Sequence, residues 1–243
     1  VWPLSVPRVT IPDRRMAPTH TRQPVVLVTG ASSGIGLALA RKLWESDYRV
    51  VVTARATSLA RFAGEPFADN TRFMIRPLDV TSSQQRQVCI TEIQESWGGV
   101  DILINNAGIG YRSVVEHTSE ADRLLVLETN YLGPMALIQL VLPGMRHKMT
   151  GCIINVSSVS GMMAMPTMGL YSASKFALEG ASEALWYEVR PWNIKVSLVE
   201  QGATWQKICA CSGCVFTCCI TGLVSTVLNI MPQRPDSKES GRR

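Results

Sequence analysis

Val25-Val26-Leu27-Val28-Thr29-Gly30-Ala31-Ser32-Ser33-Gly34-Ile35-Gly36 is the stretch that decides the fold. Four consecutive apolar residues suit a strand buried on both faces, as the strands of parallel sheets are. The glycines that follow let the backbone turn tightly, and Leu37, Leu39, Ala40 and Leu43 then recur at helical spacing. A strand that runs through such a turn into a helix offers the free N–H groups and positive dipole end of that helix to an anion, a pyrophosphate above all. The spacing is G-x-x-x-G-x-G rather than the commoner G-x-G-x-x-G, so the loop draws its meaning from its strand–loop–helix setting.

The same pattern repeats downstream. Val50-Val51-Val52 and, more weakly, Phe73-Met74-Ile75 read as strands. So do Val100-Asp101-Ile102-Leu103-Ile104, Cys152-Ile153-Ile154-Asn155-Val156 and Ile194-Lys195-Val196-Ser197-Leu198-Val199. Helical patterns lie between them, around 82–97, roughly over 119–145 and after Tyr171. Apolar strands alternating with helices imply βαβ units. The fold class expected is therefore α/β, a Rossmann-type doubly wound parallel sheet with helices on both faces in a single domain. With 243 residues, 46% hydrophobic and 18% charged, the chain can bury such a core.

Charge is concentrated at the ends. Residues 1–24 hold four Arg against one Asp, and residues 232–243 four basic against two acidic groups, which accounts for the whole net charge of +5. The neutral remainder offers no basic field, so nucleic acid is not an expected partner. Residues 1–24 contain five of the 13 prolines and read as a flexible leader, with no apolar run of secretory-signal length after Arg14 and Arg15. Cys89 and Cys152 stand alone, while Cys209, Cys211, Cys214, Cys218 and Cys219 crowd together, too close to staple distant parts of a fold. Reduced thiols in a cytoplasmic setting are expected, and the spacing matches no zinc or iron–sulfur pattern, so no metal is expected.

From Ile208 to Met231 the chain runs 24 residues without a charge, and Arg234 and Lys238 follow. A helix of that length could cross a bilayer core of ~30 Å as a C-terminal anchor. The alternative is a buried strand and helix of the same domain. The division expected is a leader at 1–24, a nucleotide-binding catalytic domain at 25–203 and a divergent Cys-rich segment with a polar tail at 204–243.

Dinucleotide folds usually choose between NAD and NADP at the end of the second strand, where an acidic residue binds the ribose diol. Here the strand ends Thr53-Ala54-Arg55. An acid would repel a 2′-phosphate, whereas a guanidinium can pair with it in bidentate fashion, so NADP is expected over NAD. Further on, Tyr171-Ser172-Ala173-Ser174-Lys175 opens a helix and places the Tyr and Lys side chains on one face. A phenol is a poor base at neutral pH unless a neighbouring cation favours its ionised form, which is what proton exchange with an alcohol or carbonyl needs.

These pieces occur together. Thr29 to Gly36, Asn105-Asn106-Ala107-Gly108, Asn130, Val156-Ser157-Ser158 and the Tyr171/Lys175 pair stand in the order and spacing of the short-chain dehydrogenase/reductase family, which the chain resembles over about residues 24–202. The phrase Lys175-Phe176-Ala177-Leu178-Glu179-Gly180 is similar to the branch containing 17β-hydroxysteroid and retinol dehydrogenases. The resemblance implies an oxidoreductase that moves a hydride between NADP(H) and a carbonyl or secondary alcohol. It implies Tyr171 as general acid/base, Lys175 on the nicotinamide ribose, Ser158 orienting the substrate oxygen and Asn130 holding a water in the proton relay. Gly30, Ser32, Ser33, Gly34, Ile35 and Gly36 would cradle the pyrophosphate, Arg55 the 2′-phosphate, and Asp79, Val80, Asn106, Ala107 and Gly108 the adenosine side. Subunits of this family often pair through long helices, so a homo-oligomer fits the resemblance.

The likeness ends after the sixth strand. Gln201 stands where the family places Pro, and neither Thr204 nor Gln206 matches its carboxamide-binding Thr securely. An incomplete sheet edge is therefore expected there. A second hypothesis also follows, that of a nucleotide-binding variant whose catalysis is impaired by a replaced C-terminus.

Overall fold

The structure is a computed structural model that describes residues 22–68, 70–201, 215–217 and 220–231. Seven strands, all paired in parallel, form one sheet in the order β3-β2-β1-β4-β5-β6-β7. They are β1 (Val25–Val28), β2 (Arg49–Ala54), β3 (Phe73–Pro77), β4 (Ile102–Asn105), β5 (Gly151–Ser158), β6 (Ile194–Gln201) and β7 (Val215–Thr217). The order reverses between β1 and β4, and that switch point opens the crevice beyond the carboxyl ends of the strands where ligands of doubly wound sheets bind.

Alternation along the strands divides the core in two. Val26, Val28, Val50, Val52, Ile102, Ile104, Cys152 and Ile154 face α1 (Gly34–Trp44), whose Leu39, Ala40 and Leu43 are fully buried. Leu27, Val51, Leu103 and Ile153 face the opposite layer of α2 (Ser83–Trp97), α4 (Gly133–Lys148) and α5 (Gly169–Val189). Helix α3 (Glu120–Leu127) runs into α4 through a π turn at Glu128–Leu132. The resulting column, Glu120–Lys148, is the one helix among the described residues long and apolar enough to cross a membrane. Its Val126, Leu137, Ile138, Val141 and Met145 are nonetheless buried in the domain.

The open edge expected after β6 is not there. Strand β7 continues the sheet, with Val199 opposite Val215 and Gln201 opposite Thr217. Helix α6 (Ile220–Ile230) then packs along α1 and places Val224, Val227 and Met231 in the same core cluster as Leu39 and Leu43. Eleven residues of helix measure about 16 Å, roughly half a hydrocarbon core. The described part of the 208–231 run is thus a strand and a helix with a buried face rather than one continuous span. Cys209, Cys211, Cys214, Cys218 and Cys219 lie outside the described residues, as do the 1–21 part of the leader and the 232–243 tail. Cys89 and Cys152 are buried free thiols. Burial pushes them up to about 11 and about 12 respectively, with Glu92 adding to the rise at Cys89, so both are inert packing residues.

Val227 is completely buried, which separates the two accounts of the C-terminal run. Val227→Asp places an unpaired carboxylate in the α1–α6 contact and should lower the thermal midpoint by about 10 °C. A midpoint within a degree of the parent chain would show that α6 does not belong to this core.

Candidate active site

The glycine turn owes its shape to two close approaches. Gly30 has φ +64°, and a Cβ there would lie 2.7 Å from Ala107 Cα. A Cβ on Gly36 would lie 2.5 Å from both Asn106 Nδ2 and Gly30 O. The β4 end is clasped onto the turn: Asn106 Nδ2 donates to Thr29 O at 2.9 Å and Gly30 O at 3.0 Å, and Thr29 Oγ1 accepts from the Asn106 and Ala107 N–H groups at 3.0 Å. Gly34 differs, since its φ is +54° and nothing lies within 4 Å of its Cβ position. The open side of the turn faces outward over the start of α1. Ser33 caps that helix in extended backbone with no side-chain cap hydrogen bond, and its first turn carries no acid. An anion has unclaimed N–H groups to meet there.

At the β2 end, Arg55 is exposed and precedes a 3-10 helix, Ala56–Phe62. Three residues per turn bring Arg55, Ser58 and Arg61 onto one stripe, and all three line the crevice. Neither Arg has a carboxylate partner among the described residues. Asp79 sits across from them, its Oδ1 accepting from Thr81 N at 3.0 Å and Thr81 Oγ1 at 2.7 Å.

The other end of the crevice is built by α5. A buried polar ladder fixes how the helix sits on the sheet: Asn105 Nδ2 donates to Asn155 Oδ1 and Asn155 Nδ2 to Ser182 Oγ, each at 2.8 Å. Lys175, 5% exposed, then donates from Nζ to Val156 O at 2.8 Å. Its remaining N–H donors find no acceptor among the described residues. Burial lowers its pKa to about 8, against a raising influence from Glu179. Nζ lies 5.9 Å from the centre of the Tyr171 ring, one turn earlier. Asn130 comes from the π turn and is fully buried. Its Nδ2 donates to Ile109 O at 2.9 Å and Ser174 Oγ at 3.0 Å, while its Oδ1 accepts from Ile109 N at 2.8 Å.

These elements enclose one crevice of about 440 Å³. Of the residues expected from sequence, its walls bring together Gly30, Ser32, Ser33, Ile35, Arg55, Asp79, Val80, Asn106, Ala107, Gly108, Tyr171 and Lys175. Gly34, Gly36, Asn130 and Ser158 are not on the walls. Gly36 and Asn130 act from behind, through the contacts above. Ser158 caps a short 3-10 turn, accepting from Ser160 N at 3.1 Å and donating to Gln201 O at 3.3 Å. Arg61, Ser58, Thr81, Ser157 and Gln201 line the crevice without having been expected. For Arg61 the only signal was its distance of six residues from Arg55, which becomes meaningful once the segment is 3-10.

A family model described as short chain dehydrogenase matches residues 24–208. The chain belongs to the short-chain dehydrogenase/reductase family. It is 40% identical over 178 residues to 3-ketodihydrosphingosine reductase of Bacteroides thetaiotaomicron, which covers 73% of this chain and 63% of the relative. It is also 40% identical over 184 residues to human retinol dehydrogenase 8, covering 73% of this chain and 58% of the relative. It therefore spans about three fifths of the length of the curated relatives it matches. Among solved structures, a metagenomic short-chain oxidoreductase in complex with NADP superposes with a TM-score of 0.74 at 29% identity, covering 85% of this chain and 89% of that one.

Arg55, Ser58 and Arg61 put two guanidinium groups and a hydroxyl on one stripe, donors of the kind a phosphate takes. Arg55→Ala should bring the NADPH and NADH dissociation constants, measured by nicotinamide fluorescence, within about threefold of each other. A bidentate charge-assisted pair contributes about 1.5–3 kcal/mol, or ten- to hundredfold in affinity. An unchanged preference would remove Arg55 from cofactor choice.

Proposed function

We propose that the chain is an NADP(H)-dependent oxidoreductase that acts on a carbonyl or secondary alcohol, with Tyr171 as the general acid/base. The observation that carries this reading is a buried ammonium with open donors, one helical turn from a phenol, on the wall of a glycine-lined crevice. The residues present fit a dinucleotide: the unclaimed first turn of α1 for the pyrophosphate, Arg55 and Arg61 for the 2′-phosphate, Asp79 and Val80 for adenine, and Lys175 for the nicotinamide ribose. When bound, the nicotinamide supplies or accepts the hydride.

The chain's own groups handle the proton. In reduction, Tyr171 Oη donates to the developing alkoxide, and in oxidation its phenolate takes the alcohol proton. Lys175 stabilises that phenolate by Coulomb attraction. Ser158, which lies off the crevice walls, would donate from Oγ to the substrate oxygen only once its hydroxyl turns from Gln201 O and faces the crevice. Asn130 is a positioning residue: three of its hydrogen bonds hold Ile109 and Ser174, and one lone pair of Oδ1 is left for a water.

Exposed apolar side chains near the start of α5 bear on the substrate. Val114, Val115, Met162, Met163 and Met165 are exposed, and the loops that carry them are tied by Ser113 N donating to Thr167 O at 2.8 Å. Val115 Cγ2 stands 3.6 Å from the Cβ position of Gly169, at the start of α5. Exposed apolar side chains beside the start of α5, two residues from Tyr171, favour a long, apolar substrate. One observation favours the second reading, impaired catalysis: Gln201 replaces the family's Pro and its carbonyl holds the Ser158 hydroxyl. We read the compartment as the reducing cytoplasm, in keeping with the free thiols of Cys89 and Cys152.

Both readings meet in one assay. NADPH consumption is followed with long-chain, steroid and short aliphatic ketones, for the parent chain and for Tyr171→Phe. Turnover should be highest with the apolar ketones and fall by about 10²–10⁴ in the variant, with NADPH affinity little changed. Equal turnover in the variant would refute the role of Tyr171, and no turnover by the parent with any ketone would favour the impaired nucleotide-binding protein.

A further inference from the structure

A second polar cluster lies directly behind Lys175, and the chemistry above does not use it. Strands β5 and β6 run in parallel with Ser157 beside Glu200, so both side chains leave the same face of the sheet, toward α5. Helix α5 brings Glu179 to that face, one turn after Lys175. Gly161 closes the group, because a Cβ there would stand 2.9 Å from both Ser157 Oγ and Glu179 Oε1. Glu200 is 6% exposed. Its Oε2, together with Glu179 Oε1 and Ser157 Oγ, is buried without a hydrogen-bond partner among the described residues. Ser157 stands near enough to the Glu179 carboxyl to favour its ionised form, yet the geometry falls short of a well-formed hydrogen bond.

A buried carboxylate, Glu200, and a half-buried one, Glu179, converge on Ser157, where they repel each other and each has a carboxyl oxygen cut off from water. A single proton held between them removes one of the two charges and turns one carboxyl into a donor. The charge that remains sits one helical turn from an ammonium that is itself buried. We propose that Glu179 and Glu200 hold one proton between them at neutral pH and, as a singly charged pair, keep Lys175 in its ammonium form. Both are positioning residues that act through Lys175. The consequence for catalysis rests on the role proposed for Lys175, whereas the proton sharing does not.

The electrostatic directions agree with the geometry. Burial, and then Glu179, pushes the Glu200 carboxyl up to about 7. Burial also raises Glu179, opposed by Ser157 and Lys175. Among the described residues, the groups that face the cluster are Tyr171, Lys175 and Glu179 from α5 and Glu200 from β6, and β7, paired with β6 at Glu200, carries no ionisable residue. Strand β5 and the turn Val159–Gly161 present hydroxyls and backbone there. On α3 and the π turn, Glu120, Arg123 and Glu128 are exposed, and Asp122 is engaged by Ser119 and Tyr111.

The test is an NMR titration of the cofactor-free full chain, labelled with ¹³C at the glutamate carboxyl and the lysine ε carbon. The Lys175 signal is assigned by its loss in Lys175→Met. One glutamate carboxyl should titrate near pH 7, and Glu200→Gln should delete that step. Glu179→Gln should move the step down toward the ordinary carboxylate range and lower the Lys175 midpoint by about one pH unit. Either amide variant suffices if the other fails to fold, and the parent chain alone already tests the step near pH 7. A parent chain in which every glutamate titrates below about pH 5.5, or a folded Glu179→Gln with an unchanged Lys175 midpoint, overturns the proposal. The titrations need no cofactor or substrate, so an active Tyr171→Phe would leave them standing.

Discussion

A positive charge held out of water is the constraint to which the rest of the site answers. Taking an ammonium from water into a protein interior costs several kcal/mol even after relaxation. Lys175 meets that cost with a strand carbonyl, Val156 O, and with the negative charge of Glu179 one turn on. The carbonyl would be out of reach if α5 were rotated or shifted. The Asn105–Asn155–Ser182 ladder sets that rotation from within the sheet, and Asn130 ties the same helix, through Ser174, to the loop after β4. Tyr171 inherits its place from these contacts, because it shares a helix face with Lys175. The geometry of the Tyr171 and Lys175 pair is thus a consequence of how α5 is anchored.

The opposite end of the crevice depends on a different economy of space. Gly30 and Gly36 let the β1 turn approach the β4 end so closely that Asn106 can clasp two of its carbonyls. Gly34 leaves the outer side open. One loop therefore packs tightly on its inner side and offers bare N–H groups on its outer side, which is what a phosphate needs. Both ends are organised by the same topological feature, the reversal of strand order between β1 and β4.

Much of this architecture was legible in the residues, for a physical reason. Strands of a parallel sheet are buried on both faces, so Val25–Val28 and Ile102–Asn105 announce themselves as uninterrupted apolar runs. The C-terminal run was not legible, because a buried strand, a buried helix and a membrane span share one composition; only pairing with β6 and packing on α1 tell them apart. The π turn escaped as well, since one extra residue per turn leaves the apolar pattern of the helix nearly unchanged. Motif residues such as Tyr171 and Lys175 could be found because their spacing is local. Arg61, Ser157 and Gln201 could not, because each reaches the crevice through a 3-10 turn or a strand register. Glu179 and Glu200 read as ordinary charged positions until α5 is laid across β6.

Lys175 is the residue on which the site depends. Its direct test is a calorimetric titration of NADPH into Lys175→Met, with folding checked by circular dichroism. If a buried ammonium holds the nicotinamide ribose, affinity falls by about tenfold or more, as expected for the loss of a charge-assisted hydrogen bond. A folded Lys175→Met that binds NADPH as tightly as the parent chain would contradict the central claim.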